Sequence, residues 1–219
     1  MIRNVDLSDI SDGKLYKGED QVRADSLGCK GCSKCCHGMG DSIVLDPYDI
    51  YQLTGALKVT FEQLLNNYIE LGVVDHVTLP HIKMDENTGG CRFLNKEGRC
   101  QVHPVRPGFC RLFPLGRFYE NGDFSYFLQV KECPQKRVKT KVRKWIGINN
   151  FKKYEAFVRD WHYFLKDVEN YILSTTDEEE KKNTNLYILM MFFMKPYDPG
   201  VDFYLQFYNR LKTSQSLIL

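Results

Sequence analysis

The chain has 219 residues, 43% of them hydrophobic and 26% charged. That size and balance fit one globular domain, or one domain with a helical annex, and exclude a disordered polymer. Thirty basic residues against 28 acidic ones leave a net charge of +2, so no strong field directs the chain to nucleic acid or an anionic membrane.

Residues 1–27 form a polar lead-in with no sustained period. Four cysteines follow at once, among glycines 28, 31, 38 and 40. Asp46-Pro47 then supplies an N-cap and a first helical residue, predicting a short helix to Leu53 that stops near Gly55. Thr60-x-x-Gln63 is a capping box. It opens a second helix with Phe61, Leu64, Leu65, Tyr68 and Ile69 on one face, ended by Gly72. Val73, Val74, Val77 and Leu79 suggest a strand closed by Pro80. Residues 91–94 and 99–102 flank a turn-like Asn95-Lys96-Glu97-Gly98, and residues 115–119 and 124–130 flank Asn121-Gly122, a strong hairpin signal.

Beyond Cys133 the pattern turns helical. Tyr154, Phe157, Val158, Trp161, Phe164, Leu165, Val168, Tyr171 and Ile172 make a wide apolar stripe at helical spacing. Thr176-x-x-Glu179 predicts another capped helix that ends before Pro196. Asp198-Pro199 predicts a last one, with Tyr204, Phe207, Tyr208 and Leu211 on one side. The expected fold is α+β: a small metal-organised cysteine-rich region with short strands and two helices, packed with a C-terminal helical region. The expected division is a lead-in (1–27), a cysteine-cluster region (28–135) and a helical region (136–219).

The longest apolar run, residues 186–194, is too short to span a bilayer, and no secretion signal opens the sequence. The chain therefore reads as cytoplasmic, where thiols stay reduced. There, eight cysteines argue for a metal site over disulfides. All eight lie in the first 133 residues, at Cys29, Cys32, Cys35, Cys36, Cys91, Cys100, Cys110 and Cys133. Cys29-x-x-Cys32-x-x-Cys35-Cys36 lets consecutive thiols converge while the glycines permit the positive φ that such wrapping needs. Four ligands per centre is the usual count for structural zinc and for common iron–sulfur clusters, so eight thiols suffice for two centres, or for one with thiols to spare. If the backbone is extended at Cys35 and Cys36, their side chains point to opposite faces. One would then serve each of two neighbouring centres, or one would be unused.

A zinc ribbon requires two Cys-x-x-Cys knuckles roughly 15–20 residues apart, and this sequence has one such cluster. A ferredoxin-type 4Fe–4S run has three cysteines at two-residue spacing and a further Cys-Pro. Cys29, Cys32 and Cys35 satisfy the first part, and Cys133-Pro134 is a distant version of the second. The spacing thus favours an iron–sulfur cluster, with zinc as the alternative.

The combination of Cys29-x-x-Cys32-x-x-Cys35-Cys36, Gly98-Arg99-Cys100 and Arg106-Pro107-x-x-Cys110-Arg111-x-Phe113-Pro114 resembles the YkgJ-like cysteine-cluster family. Its members are described as zinc- or iron-chelating, or as containing iron–sulfur clusters. The resemblance covers residues from about 29 to 133 and implies ligand status for all eight cysteines, without saying which subset binds which ion. A similar motif occurs in flagellin lysine N-methylases, thought to use an iron–sulfur centre and S-adenosylmethionine.

Other features have simpler readings. His103 and His37 neighbour cysteines, but the thiols suffice as ligands. Arg106 and Arg111 bracket Cys110, where they would offset thiolate charge, anchor an anion or pair with carboxylates. Residues 131–144 carry seven basic side chains and no interleaved aromatic platform, which fits a solvated surface better than nucleic-acid binding. The aromatics Trp145, Phe151, Trp161, Phe192, Phe193, Phe203 and Phe207 read as core before they read as a cleft. No phosphate loop, nucleophile elbow, zincin or EF-hand pattern is present. Two functions remain: an iron–sulfur protein with a redox or group-transfer role on a protein or small molecule, or a non-enzymatic zinc module or metal carrier.

Overall fold

A computed structural model describes residues 6–26 and 32–218, with the side chain of Ile218 left aside. Asp6 caps one helical turn, α1 (Leu7–Ile10), accepting from the Ser8 amide at 2.8 Å. The lead-in then forms a strand, β1 (Gln21–Asp25), on which Val22 and Ala24 are buried to 2% and 0% exposure. Its partner lies more than a hundred residues away, so no local pattern announces it.

Asp46 accepts from the Asp49 amide at 2.8 Å, and Asp49 reaches back to the Asp46 amide at 3.2 Å. This reciprocal box starts α2 (Pro47–Leu57). The helix runs through Gly55 and ends where Lys58 turns left-handed, later than expected. The Thr60–Gln63 box starts α3 (Phe61–Asn67) as its sequence predicts.

The following segment departs from expectation. Residues 69–82 form a hairpin, β2 (Ile69–Val74) with β3 (Val77–Ile82), turned by Asp75 and His76 at φ of 48° and 64°. Helix α3 therefore stops before Ile69, and Pro80 sits within β3 opposite Leu71. Gly72 pairs with Leu79 inside this sheet, and glycine suits the position because a Cβ there would meet the His81 ring at 2.9 Å. Residues 91–102 likewise form no full hairpin. They coil around isolated bridges from Met84 to Cys91 and from Leu94 to Cys100, leaving the thiols on turns.

Helix α4 (Gly108–Leu112) is short and carries Cys110. The Asn121-Gly122 turn joins β4 (Leu115–Glu120) to β5 (Asp123–Leu128) in the register that the dipeptide predicts. Strand β6 (Val138–Lys141) pairs antiparallel with β1 and runs straight into α5 (Val142–Ile146). The basic stretch is thus partly structured and mostly exposed, with Lys141 and Arg143 both on Glu19 at 3.0 Å.

Helix α6 (Phe151–Ser174) buries Tyr154, Phe157, Val158, Trp161, Phe164, Val168 and Ile172, the stripe that its sequence predicts. Asp177, not Thr176, caps α7 (Glu178–Leu189), accepting from the Glu179 and Glu180 amides. A π-helical segment (Met190–Met194) continues α7 and buries Phe192 and Phe193. Helix α8 (Phe203–Ile218) starts after the Asp198-Pro199 turn, with Asp202 accepting from the Leu205 amide. Among the described residues, then, three separate antiparallel strand pairs and eight helices make an α+β fold. Phe157, Trp161, Phe192 and Phe207 meet at ring separations of 4.6–6.1 Å to form the centre of the helical core. No helix among the described residues is long and apolar enough to cross a membrane.

Candidate metal centre

Cys29 lies outside the described residues. The other seven cysteines are free thiols, half-buried, and come from four parts of the chain. Ser33, left-handed at φ 46°, starts a 3-10 turn (Lys34–Cys36) that projects Cys35 and Cys36. That turn is stitched to the next cysteine, since the Cys91 amide donates to the Cys36 carbonyl at 2.7 Å and the Gly38 amide to the Gly89 carbonyl at 2.9 Å. The Phe93 amide reaches the Cys91 Sγ at 3.5 Å, a bond aimed at the sulfur of the kind that stabilises thiolate ligands.

Cys110 is fixed from three sides. Its helix α4 follows Pro107, the Gly108 amide donates to buried Asp49 at 2.8 Å, and the Trp145 indole donates to the Leu112 and Phe113 carbonyls. Gly108 is required here, because a Cβ would meet the Tyr154 hydroxyl at 2.7 Å.

The thiols border two adjoining hollows. Cys32, Cys35, Cys110 and Cys133 border a small one of about 40 Å³. Cys35, Cys36, Cys91, Cys100 and Cys110 border a large one of about 970 Å³. Cys35 and Cys110 are common to both. The backbone at this adjacent pair is a 3-10 turn and not extended, so the strand argument for opposite faces does not apply; Cys35 borders both hollows and Cys36 only the larger. Among the described residues no three Cys, His, Asp or Glu side chains converge tightly enough to hold one bare ion. A polynuclear cluster is wider than an ion and takes its thiols from around a void, and soft thiolates suit iron–sulfur clusters and zinc alike. By donor chemistry the residues fit such a group.

Their electrostatics are those of crowded sulfur. A hydrogen bond from Cys36 holds Cys35 down at about 7, while the same bond, then burial and the neighbouring thiols, pushes Cys36 up. Burial raises Cys91, Cys100 and Cys110, and the Gln135 side chain lowers Cys32. A bound cation reverses the upward shifts by deprotonating its ligands outright. His37 and His103 border the large hollow but are engaged nearby, His37 with the Ser33 carbonyl at 2.9 Å and His103 with Arg106 at 3.4 Å. Arg106 also lies over the Trp145 ring, and Arg111 bonds the Pro104 carbonyl.

The sequence gives little sign of a second polar group deeper in. Asp49 is 4% exposed, and burial, then Asp46, holds its carboxyl well above the usual range. Burial raises Asp46 itself to about 6. Arg117 on β4 donates to the Tyr154 hydroxyl at 3.0 Å. Asp46-x-x-Asp49 reads locally as a helix start, which it is. Its burial against α4 and Arg117 depends on contacts 60 or so residues distant, outside the reach of spacing rules.

Fold and thiols together define a cysteine-cluster metal-binding protein. The chain belongs to the CxxCxxCC family, described as "Putative zinc- or iron-chelating domain", whose pattern matches residues 28–138, just over half of the chain. It is 28% identical over 122 residues to "Uncharacterized protein MJ0661" from Methanocaldococcus jannaschii, an alignment covering 52% of this chain and 60% of that protein. The chain thus spans less than two thirds of that relative's length. No solved structure matches. The family match bears out the cysteine-cluster resemblance and, with it, metal binding. The likeness to flagellin lysine N-methylases rests on the motif alone.

Proposed function

We propose that this is an iron–sulfur protein of the cytoplasm whose cluster serves a redox or group-transfer reaction on a small molecule. One observation carries the reading: four thiols from three separate segments border one hollow, and two of them, Cys35 and Cys110, also border a cavity large enough for a substrate. Cys32, Cys35, Cys110 and Cys133 are the set we assign to the cluster, with Cys29 as a further candidate. Cys36, Cys91 and Cys100 border the cavity alone and are available to a second centre.

A bound cluster would supply electrons, or an open iron as a Lewis acid, at the cavity wall. The chain's own residues hold the surroundings. The Cys91 and Phe93 amides fix the sulfur-bearing turns, and Lys34 offsets thiolate charge at Cys32 as Arg106 does at Cys35 and Cys100. The test is anaerobic expression followed by iron, acid-labile sulfide and zinc analysis. Brown protein with matching iron and sulfide is expected. Colourless protein with stoichiometric zinc would overturn the reading and leave a structural or carrier module.

A further inference from the structure

The large cavity holds a feature that a thiol site does not require. Arg117 is half-buried and is one of the residues that line the cavity. A guanidinium carries five donors and is always charged. Here its partners are neutral phenols, Tyr154 at 3.0 Å and Tyr119, and its Nε is buried with no partner at all. Among the described residues it forms no ion pair. Asp46, Asp49 and Glu155 contribute field without bonding it directly, and each is engaged elsewhere: Asp46 accepts from the Asp49 amide, Asp49 from the Gly108 amide and Glu155 from the Tyr126 hydroxyl. A buried charge without a directly bonded counter-ion is costly, and a carboxylate taking two parallel bonds from the guanidinium is the arrangement that offsets it. Much of the cavity wall is apolar, with Leu45, Leu79, Trp161 and Leu165 in it; Lys34, Arg99 and Arg106 also line the cavity, as does Lys166, which is paired with Asp75 and Glu169.

We propose that the cavity binds a small organic acid, its carboxylate on Arg117 and its apolar body lying along Trp161 and Leu165 toward the thiols. The assignment does not rest on which metal the cysteines hold. A purely structural arginine would stabilise the fold without telling a charged ligand from a neutral one.

The test uses the full, metal-loaded chain and two probes of matched shape, 4-phenylbutyrate and 4-phenylbutan-1-ol, with Trp161 fluorescence and calorimetry as readouts. The acid is expected to bind at least tenfold more tightly than the alcohol. Arg117→Gln should abolish that preference, and Arg117→Lys should retain part of it. Equal binding of the two probes, no binding of the acid, or an unchanged preference in Arg117→Gln would overturn the proposal. If Arg117→Gln does not fold, Leu165→Trp, which adds bulk to the cavity wall along which the apolar body lies, should weaken the acid about tenfold. Unchanged affinity there would equally overturn it. Metal and sulfide content measured on the same samples separates failure here from failure of the cluster reading.

Discussion

The thiol-bearing turns and the C-terminal helices are held by different physics. Helices α6, α7 and α8 meet through aromatic rings, with Phe157, Phe192 and Phe207 at 0% exposure, and apolar burial of that kind is sufficient to order a helical core. Residues 32–38 and 89–101 bury one large side chain, Phe93, and are otherwise held by isolated bridges, single amide bonds and half-buried sulfur. One region stands on its own burial. The other presents donors around a void, the arrangement expected where binding free energy and folding free energy are the same quantity.

The largest effect should come from separating the two. Stripping the metal with a chelator is expected to speed amide exchange in residues 32–38 and 89–101 at least a hundredfold, leaving the middle of α6 within twofold. Exchange measured with and without metal checks this, and equal protection in both states would erase the contrast. Phe207→Ala attacks the other side. Its ring packs 4.6 Å from Phe157, so a loss of about 3–5 kcal/mol is expected in urea unfolding, with metal per folded molecule unchanged.

Between the regions sits Asp49. Asp49→Ala leaves the Gly108 amide without its 2.8 Å acceptor and should cost about 2 kcal/mol. Asp49→Asn, which retains an acceptor and cannot ionise, should cost less, and denaturation of both variants tests the order. The smallest shift concerns His162, stacked on Tyr119 at 3.6 Å. Burial, and nearby positive charge after it, holds this imidazole down at about 4. The unfolded chain, with an ordinary pKa near 6.5, binds the proton that the folded state refuses. Stability is therefore full above about pH 6.5 and falls as pH drops through 4, by about 2 kcal/mol once screening is allowed for. Denaturation at pH 7 and pH 4.5 should show that loss shrinking in His162→Gln.

The same contrast governs how far each region could be read from its residues. Helix α6 was legible because its stripe is local and its period regular, and the Asn121-Gly122 hairpin because two residues dictate the turn. Pro80 misled, since a proline opposite Leu71 on a two-stranded ribbon leaves no central ladder bond broken. Strand β1 was hidden because its pairing with β6 spans more than a hundred residues. For the thiols, spacing identified a metal-binding cluster but not its geometry. That Cys35 and Cys110 face both hollows depends on the 3-10 turn at Lys34 and on α4, neither of which has a sequence signature. Arg117 was invisible for a related reason: an arginine in a hairpin strand reads as solvated until the fold covers it.

The shared position of Cys35 and Cys110 is the centre of the account, and X-ray absorption at the metal edge tests it most directly. Wild-type protein purified without oxygen should show iron whose nearest neighbours are all sulfur, a signal lost in Cys35→Ser and Cys110→Ser and kept in Cys36→Ser. A metal surrounded by nitrogen and oxygen, with all three variants like the wild type, would contradict it.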